Sequence, residues 1–156
     1  PVSVCEVPAP CRGALIQHES WPGSGGATGR PAVLSGEYRE CFDFSGLDLS
    51  GIKLRGAHLR GARFHGCTLT LSDFRDADLR NATSEGANLS GANLAQADLS
   101  GARIQGTVMS SVPIRTGDGQ VTGQVRRTNL EQASLAGAEM TGVDFSECIM
   151  SGVRWG

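Results

Sequence analysis

An all-β solenoid is the fold class this sequence predicts. Three observations predict it: a five-residue period, an apolar third place in nearly every period, and glycine at most fifth places. From Phe42 the chain reads FDFSG, LDLSG, IKLRG, AHLRG, ARFHG, CTLTL, SDFRD, ADLRN, ATSEG, ANLSG, ANLAQ, ADLSG, ARIQG, TVMSS, VPIRT. The third places run from Phe44, Leu49 and Leu54 through Ile104, Met109 and Ile114, and only Ser84 breaks the apolar rule. A helix turns every ~3.6 residues, so a five-residue period would drift around it without making one apolar stripe. An extended segment puts residues two apart on one face, so places one and three point inward and places two and four outward. Glycine at place five tolerates the backbone angles of a corner. Corners of one sense wind a coil, and stacked coils pair as parallel strands about 4.8 Å apart.

Composition agrees with many corners around a narrow core. Glycine supplies 22 of 156 residues and aromatics only 5%. The net charge is −2, far from the positive excess of a nucleic-acid binder, and direct nucleic-acid binding is not expected. No apolar stretch approaches the roughly 18 residues of a membrane span, so no membrane partner is expected. No signal peptide is recognisable. The cytoplasm is the expected location, with secretion as the alternative, because a start at Pro1 rather than Met fits a processed form or part of a longer chain. Five cysteines at irregular spacing make no disulfide framework. Cys67 and Cys148 fall at inward places and read as small buried hydrophobes, while Cys5 and Cys11 could pair locally in an oxidising compartment.

The ADLSG, ANLSG and ADLRN units closely resemble the pentapeptide-repeat family, whose pattern is A(D/N)LXX. The resemblance covers residues 32–114, with Ala32–Gly36 as the first in-phase unit, and residues 128–156. It implies a right-handed quadrilateral parallel β-helix with four units per coil, hence about five coils here. Residues twenty apart then stack. Phe44, Phe64, Ser84 and Ile104 form one interior column, and Leu54, Phe74, Leu94 and Ile114 another.

The second run reads TNLEQ, ASLAG, AEMTG, VDFSE, CIMSG, VRWG. Ile114 to Leu130 is sixteen residues, one more than three units, so the register slips within Arg115–Arg127. Gly117, Asp118, Gly119 and Gly123 are turn signals. Residues 115–127 are therefore an expected loop or small hairpin protruding from one coil. Residues 1–31 do not repeat and read as an N-terminal cap, with a docking tail as the alternative.

The chain offers little for chemistry. His18, His58 and His65 are its only histidines, and no His, Cys and Asp cluster has metal-ligand spacing. No nucleophile and base are paired, and residues 23–29 lack the end of a phosphate-binding loop. Ser84 reads as a buried serine bonded to backbone. The aspartates at second places read as solvated. No cofactor, metal or catalytic residue is expected, and the chain reads as a non-enzyme.

Binding surfaces remain. At twenty residues per coil Arg55 lies over Arg75 and Arg60 over Arg80, with Asp73, Asp76 and Asp78 close enough to counter them; the surface reads as mixed and solvated, with a patch for an acidic partner as the alternative. The insertion adds Arg115, Asp118, Arg126 and Arg127 as candidate partner-binding residues. Met140, Phe145, Met150 and Trp155 are bulky third places in the last coil and suggest a two-fold dimer there, with plugging of the interior end as the competing explanation. The expected function is a non-catalytic protein-interaction scaffold whose partner the sequence does not name. One alternative, implied by the resemblance, is DNA mimicry toward DNA gyrase, as in quinolone-resistance members of the family. Residues 41–156 carry 12 acidic and 11 basic side chains, however, and the chain lacks the C-terminal helix of many such dimers. Another alternative is a repeat module of a secreted or secretion-associated bacterial protein.

Overall fold

A computed structural model describes residues 43–156 of the chain. The expected N-terminal cap, first unit at Ala32 and Cys5–Cys11 pair lie outside those residues. Within them the chain winds a right-handed, four-sided parallel β-helix. Each side is joined to the next coil by a single-residue bridge at the second place: Asp43 to Arg63, Asp48 to Thr68, Lys53 to Asp73, His58 to Asp78. The ladder is reciprocal. Leu54 N donates to Asp73 O at 2.7 Å, and Asp73 N donates back to Ile52 O at 2.9 Å. First and third places fill the interior, so Ala57 and Leu59 are fully buried while His58 and Arg60 between them face outward.

At each corner the third-place carbonyl accepts from the N–H three residues on, as Leu54 O does from Ala57 N at 3.1 Å. The fifth place is the third residue of this turn and takes positive φ, 68° at Gly56, the signature of a type II turn. Five corners carry a side chain in that region: Leu71, Asp76, Asn81, Gln96 and Gln132. The left-handed conformation costs an L-residue roughly 1–2 kcal/mol. Leu71 is also 45% exposed, and what holds it is the inserted hairpin.

The first column stacks as expected. The Phe44 and Phe64 rings lie 5.3 Å apart and nearly parallel, and Ser84 and Ile104 follow inside the same column. Ser84 is smaller than its neighbours, and a void of about 20 Å³ lies against it, lined also by Phe64, Leu89 and Ile104. Its hydroxyl lies 3.0 Å from the Thr107 hydroxyl, which donates to the Ser84 carbonyl at 2.7 Å. The expected side chain to backbone bond of Ser84 is thus made by Thr107 instead.

The second column needs correction. Leu54, Phe74 and Leu94 stack, but the next member is Leu130, because Leu94 N donates to Asn129 O at 2.7 Å. Ile114 is half-buried on a hairpin. Its strands are β1 (Val112–Arg115) and β2 (Val121–Arg126), paired antiparallel. The insertion therefore begins at Val112, three residues before the expected boundary. Proline explains the departure. A second-place residue in this coil must donate its N–H to Ala92 O; Asn129 does so at 2.9 Å, and Pro113 has no N–H to give. The bridges consequently step from Asn93 to Asn129, Asp98 to Ser134 and Arg103 to Glu139, then resume the twenty-residue stride to Ile149 and Arg154.

Candidate protein-interaction surface

Three surface features stand out: the hairpin, the rows of arginines and the partly covered side chains near residues 140–155.

The hairpin is anchored at both feet. Thr128, fully buried, accepts from Gly91 N at 3.1 Å and lies 3.1 Å from Leu89 O and 3.3 Å from Ser110 O. Ser111 N donates to the Glu147 carboxylate at 2.7 Å. The Arg127 guanidinium donates to the carbonyls of Glu147 and Cys148 at 2.9 and 2.8 Å. Val112 lies over Gly91 beside Leu71; a Cβ at Gly91 would meet Leu71 Cδ2 at 2.9 Å and Val112 Cγ2 at 3.0 Å. This packing accounts for a leucine at an exposed, strained corner.

The tip is also ordered. Thr116 N donates to Gln120 O at 2.8 Å, Arg115 donates to Gly119 O at 3.0 Å, and the Thr116 hydroxyl bonds the Asp118 carboxylate. All of β2 is exposed, with Val121 at 56% and Val125 at 51%. Of the insertion residues singled out from the sequence, Arg115 and Asp118 serve the tip and Arg127 a foot. Arg126 is exposed and has neither an ion pair nor a side-chain hydrogen bond to a described residue.

The arginines at Arg55, Arg75, Arg60 and Arg80 stack in register but do not form bare cationic rows. Arg75 folds onto Asp73 in a bidentate pair at 2.9 and 2.7 Å, and Arg80 onto Asp78 at 2.8 and 2.7 Å. Arg55 reaches Asp76 at 3.4 Å. The same aspartates have a second task. Asp73 and Asp78 accept from the backbone N–H two residues on, as do Asp43, Asp48, Asn88, Asn93, Asp98, Asn129 and Asp144. Where the second place is Asp or Asn, it caps the outward amide of its corner. The expectation of simply solvated aspartates missed this, although the recurrence of Asp and Asn at second places was its signal.

The arginine hydrogen bonds hold the Asp73 and Asp78 carboxyls below their ordinary value, opposed by burial; bonds from Ser45 do the same for Asp43. A carboxyl whose folded pKa lies below its unfolded one contributes stability that is complete above the unfolded value and is lost as pH falls through the folded one. Unfolding free energy should therefore be level near neutrality and decline once pH drops below about 4. Asp73→Asn keeps the cap, as Asn93 does one coil on, but removes the titrating ion pair. Urea melts across pH should show a shallower acid decline for this variant. An unchanged slope would exclude Asp73 as a contributor.

Four third-place side chains near residues 140–155 are incompletely covered by the described residues. Met140, Phe145 and Met150 are half-buried and Trp155 is 54% exposed, its ring edge-on to Phe145 at 6.1 Å. The backbone N–H groups of these four residues make no backbone hydrogen bond among the described residues.

The remaining reactive side chains are committed elsewhere. Burial pushes the Cys67 thiol up to about 12 and the Cys148 thiol up to about 11, and Cys67 donates to Phe44 O at 2.9 Å. His58 and His65 lie on different sides, and His65 lies 3.0 Å from the Thr83 hydroxyl. Among the described residues no cluster of His, Cys, Asp or Glu could hold a metal ion, and no helix is long and apolar enough to cross a membrane.

A four-sided coil with capped corners and a projecting hairpin defines a class of repeat protein. The family model for pentapeptide repeats matches residues 43–76, 72–110 and 125–152 in 8 copies. The chain belongs to the pentapeptide-repeat family. Among solved structures, it is similar to a pentapeptide-repeat protein, Rfr23, from the cyanobacterium Cyanothece 51142, with 21% identity over 78% of this chain and 86% of that one, at a TM-score of 0.63. It is similar to alr5209, a pentapeptide-repeat protein from Nostoc PCC 7120, with 25% identity over 92% and 94% of the two chains and a TM-score of 0.51. It also shares its fold with QnrB1, a plasmid-mediated fluoroquinolone resistance protein, at 22% identity over 77% and 68% and a TM-score of 0.50. The curated protein sequences give no match.

Proposed function

We propose that this chain is a non-catalytic scaffold that binds a protein partner through the inserted hairpin. The observation that carries this reading is the way the hairpin is held. A buried threonine, a carboxylate, a guanidinium and a packed valine fix its feet, yet its second strand is exposed along its whole length. Ordering a loop before binding reduces the entropy lost on association. Rigid scaffolds commonly present recognition on such loops.

The test follows from the register. Removing residues 112–127 joins Ser111 to Thr128 and places Leu130 three residues after Ser111 and five after Met109, in phase with the repeat, and it restores the twenty-residue stride from Asn93 to Asn129. The shortened chain should fold with unchanged circular dichroism and lose capture of the partner taken by the intact chain. Undiminished capture would remove the hairpin from recognition.

A second reading is modulation of DNA gyrase. An insertion interrupting the coils favours it. The near balance of 12 acidic and 11 basic side chains over residues 41–156 opposes it, because a mimic of duplex DNA needs a broad anionic surface. A supercoiling assay separates the two readings: a scaffold for another partner leaves gyrase unaffected.

The exposed Trp155 and the half-buried Met140, Phe145 and Met150 support a homodimer through this apolar face, with Trp155 near the two-fold axis. Both the bulky side chains and the unpaired amides would gain cover. Trp155→Ala should convert a dimer to a monomer in size-exclusion chromatography with light scattering. A wild-type chain that stays monomeric at high micromolar concentration would leave the bulky residues as a plug only.

A further inference from the structure

We propose that the cleft between the hairpin and the coil wall binds an extended acidic segment of a partner protein. This rests on the reading of the hairpin as the recognition element. The cleft has a volume of about 260 Å³. Ile114 and Val125 line it from the hairpin, Asn93, Asn129 and Ile149 from the wall, and Arg126 contributes the cation.

The chemistry of the lining selects the occupant. Asn93 and Asn129 are bridge partners on successive coils, so their side chains stand one above the other. Each amide oxygen is used by the wall, accepting from Ala95 N at 3.1 Å and from Glu131 N at 2.9 Å. The NH₂ groups remain as two donors at strand spacing, matched to carbonyls of an extended chain. Ile114, Val125 and Ile149 offer apolar contact to side chains of that segment. Its charge follows from Arg126, which makes no ion pair with a described residue, and from Arg127, held beside it by two carbonyls. Asp118, the one acid of the hairpin, is engaged at the tip with Thr116 and Gln120. The charged side chains that line the cleft are Arg126 and Arg127, so an acidic segment is favoured there and a basic one repelled. A nucleic-acid strand fits less well, since no run of cations lines the cleft to follow a phosphate backbone.

The test uses fluorescein-labelled short peptides of alternating Leu and Glu, the same peptides with Lys for Glu, and a single-stranded thymidine oligonucleotide of equal length. The intact protein should bind the acidic peptide and neither of the others. Arg126→Glu and Val125→Asp should each weaken binding at least about tenfold, while Arg103→Glu on another side leaves it unchanged. The side-chain amide resonances of Asn93 and Asn129 should shift on titration. Preference for the Lys peptide or the oligonucleotide, no acidic binding, or binding insensitive to Arg126→Glu and Val125→Asp in folded protein would each overturn the proposal. The two readings fail separately. A partner lost on removing residues 112–127 but retained by both point variants rules out the cleft and leaves the hairpin; a partner retained after the deletion rules out the hairpin itself.

Discussion

Leu89→Ala is expected to lower the free energy of unfolding by about 2–5 kcal/mol. Leu89 is 3% exposed and lies in the column between Leu69 and Met109, both buried. Its own N–H donates to Val108 O at 2.7 Å, and its carbonyl accepts from Ala92 N at 3.0 Å. The spacing of neighbouring coils is therefore set by backbone hydrogen bonds and not by side-chain size. A truncated side chain leaves a hole the walls cannot close, and Leu89 already borders the void beside Ser84. Both points place the loss in the upper part of the range. Val121→Ala, on the exposed hairpin strand, should change stability by no more than about 0.5 kcal/mol. Paired urea melts check this contrast. Equal midpoints for the two variants would contradict the burial of Leu89 as a determinant of stability.

Gly91→Ala should cost about 2–5 kcal/mol, from two causes that can be separated. Gly91 has a φ of 69°, where a side chain costs roughly 1–2 kcal/mol. Its added Cβ would also press on Leu71 Cδ2 and Val112 Cγ2, and overpacking of this kind costs typically 1–3 kcal/mol. Gly86 has nearly the same φ, 70°, with open space where its Cβ would stand. Gly86→Ala thus measures the backbone cost alone, and the excess at Gly91 measures the packing of the hairpin foot. Replacing Leu71 with Gly should recover part of that excess, since it relieves one contact. Equal losses at Gly86 and Gly91 in thermal or urea unfolding would mean that Val112 does not seat there. The same variants, probed by hydrogen exchange across 112–127, should show faster exchange only for Gly91→Ala.

The five-residue period alone determined that places one and three face inward, and that the corner falls at place five. Only an extended chain with a turn at that interval can bury such a pattern, so the interior from Phe44 to Met109 was readable residue by residue. Pro113 was also readable, since a residue without an N–H cannot hold a second place, but the apolar match of Ile114 to the period masked it. The tertiary structure decided what depended on neighbours distant in the chain. The sequence placed acids near the stacked arginines, but the structure decided the pairs: Asp73 with Arg75, Asp78 with Arg80 and Asp76 with Arg55. Leu71 keeps a strained corner because Val112, forty-one residues later, packs beside it across Gly91. The cleft joins Asn93 to Asn129 and to Arg126 only because the chain leaves the wall at Val112 and returns at Thr128. Local periodicity specifies which way a side chain points, but not which partner lies opposite it, because that depends on the register between coils and on where the insertion interrupts it.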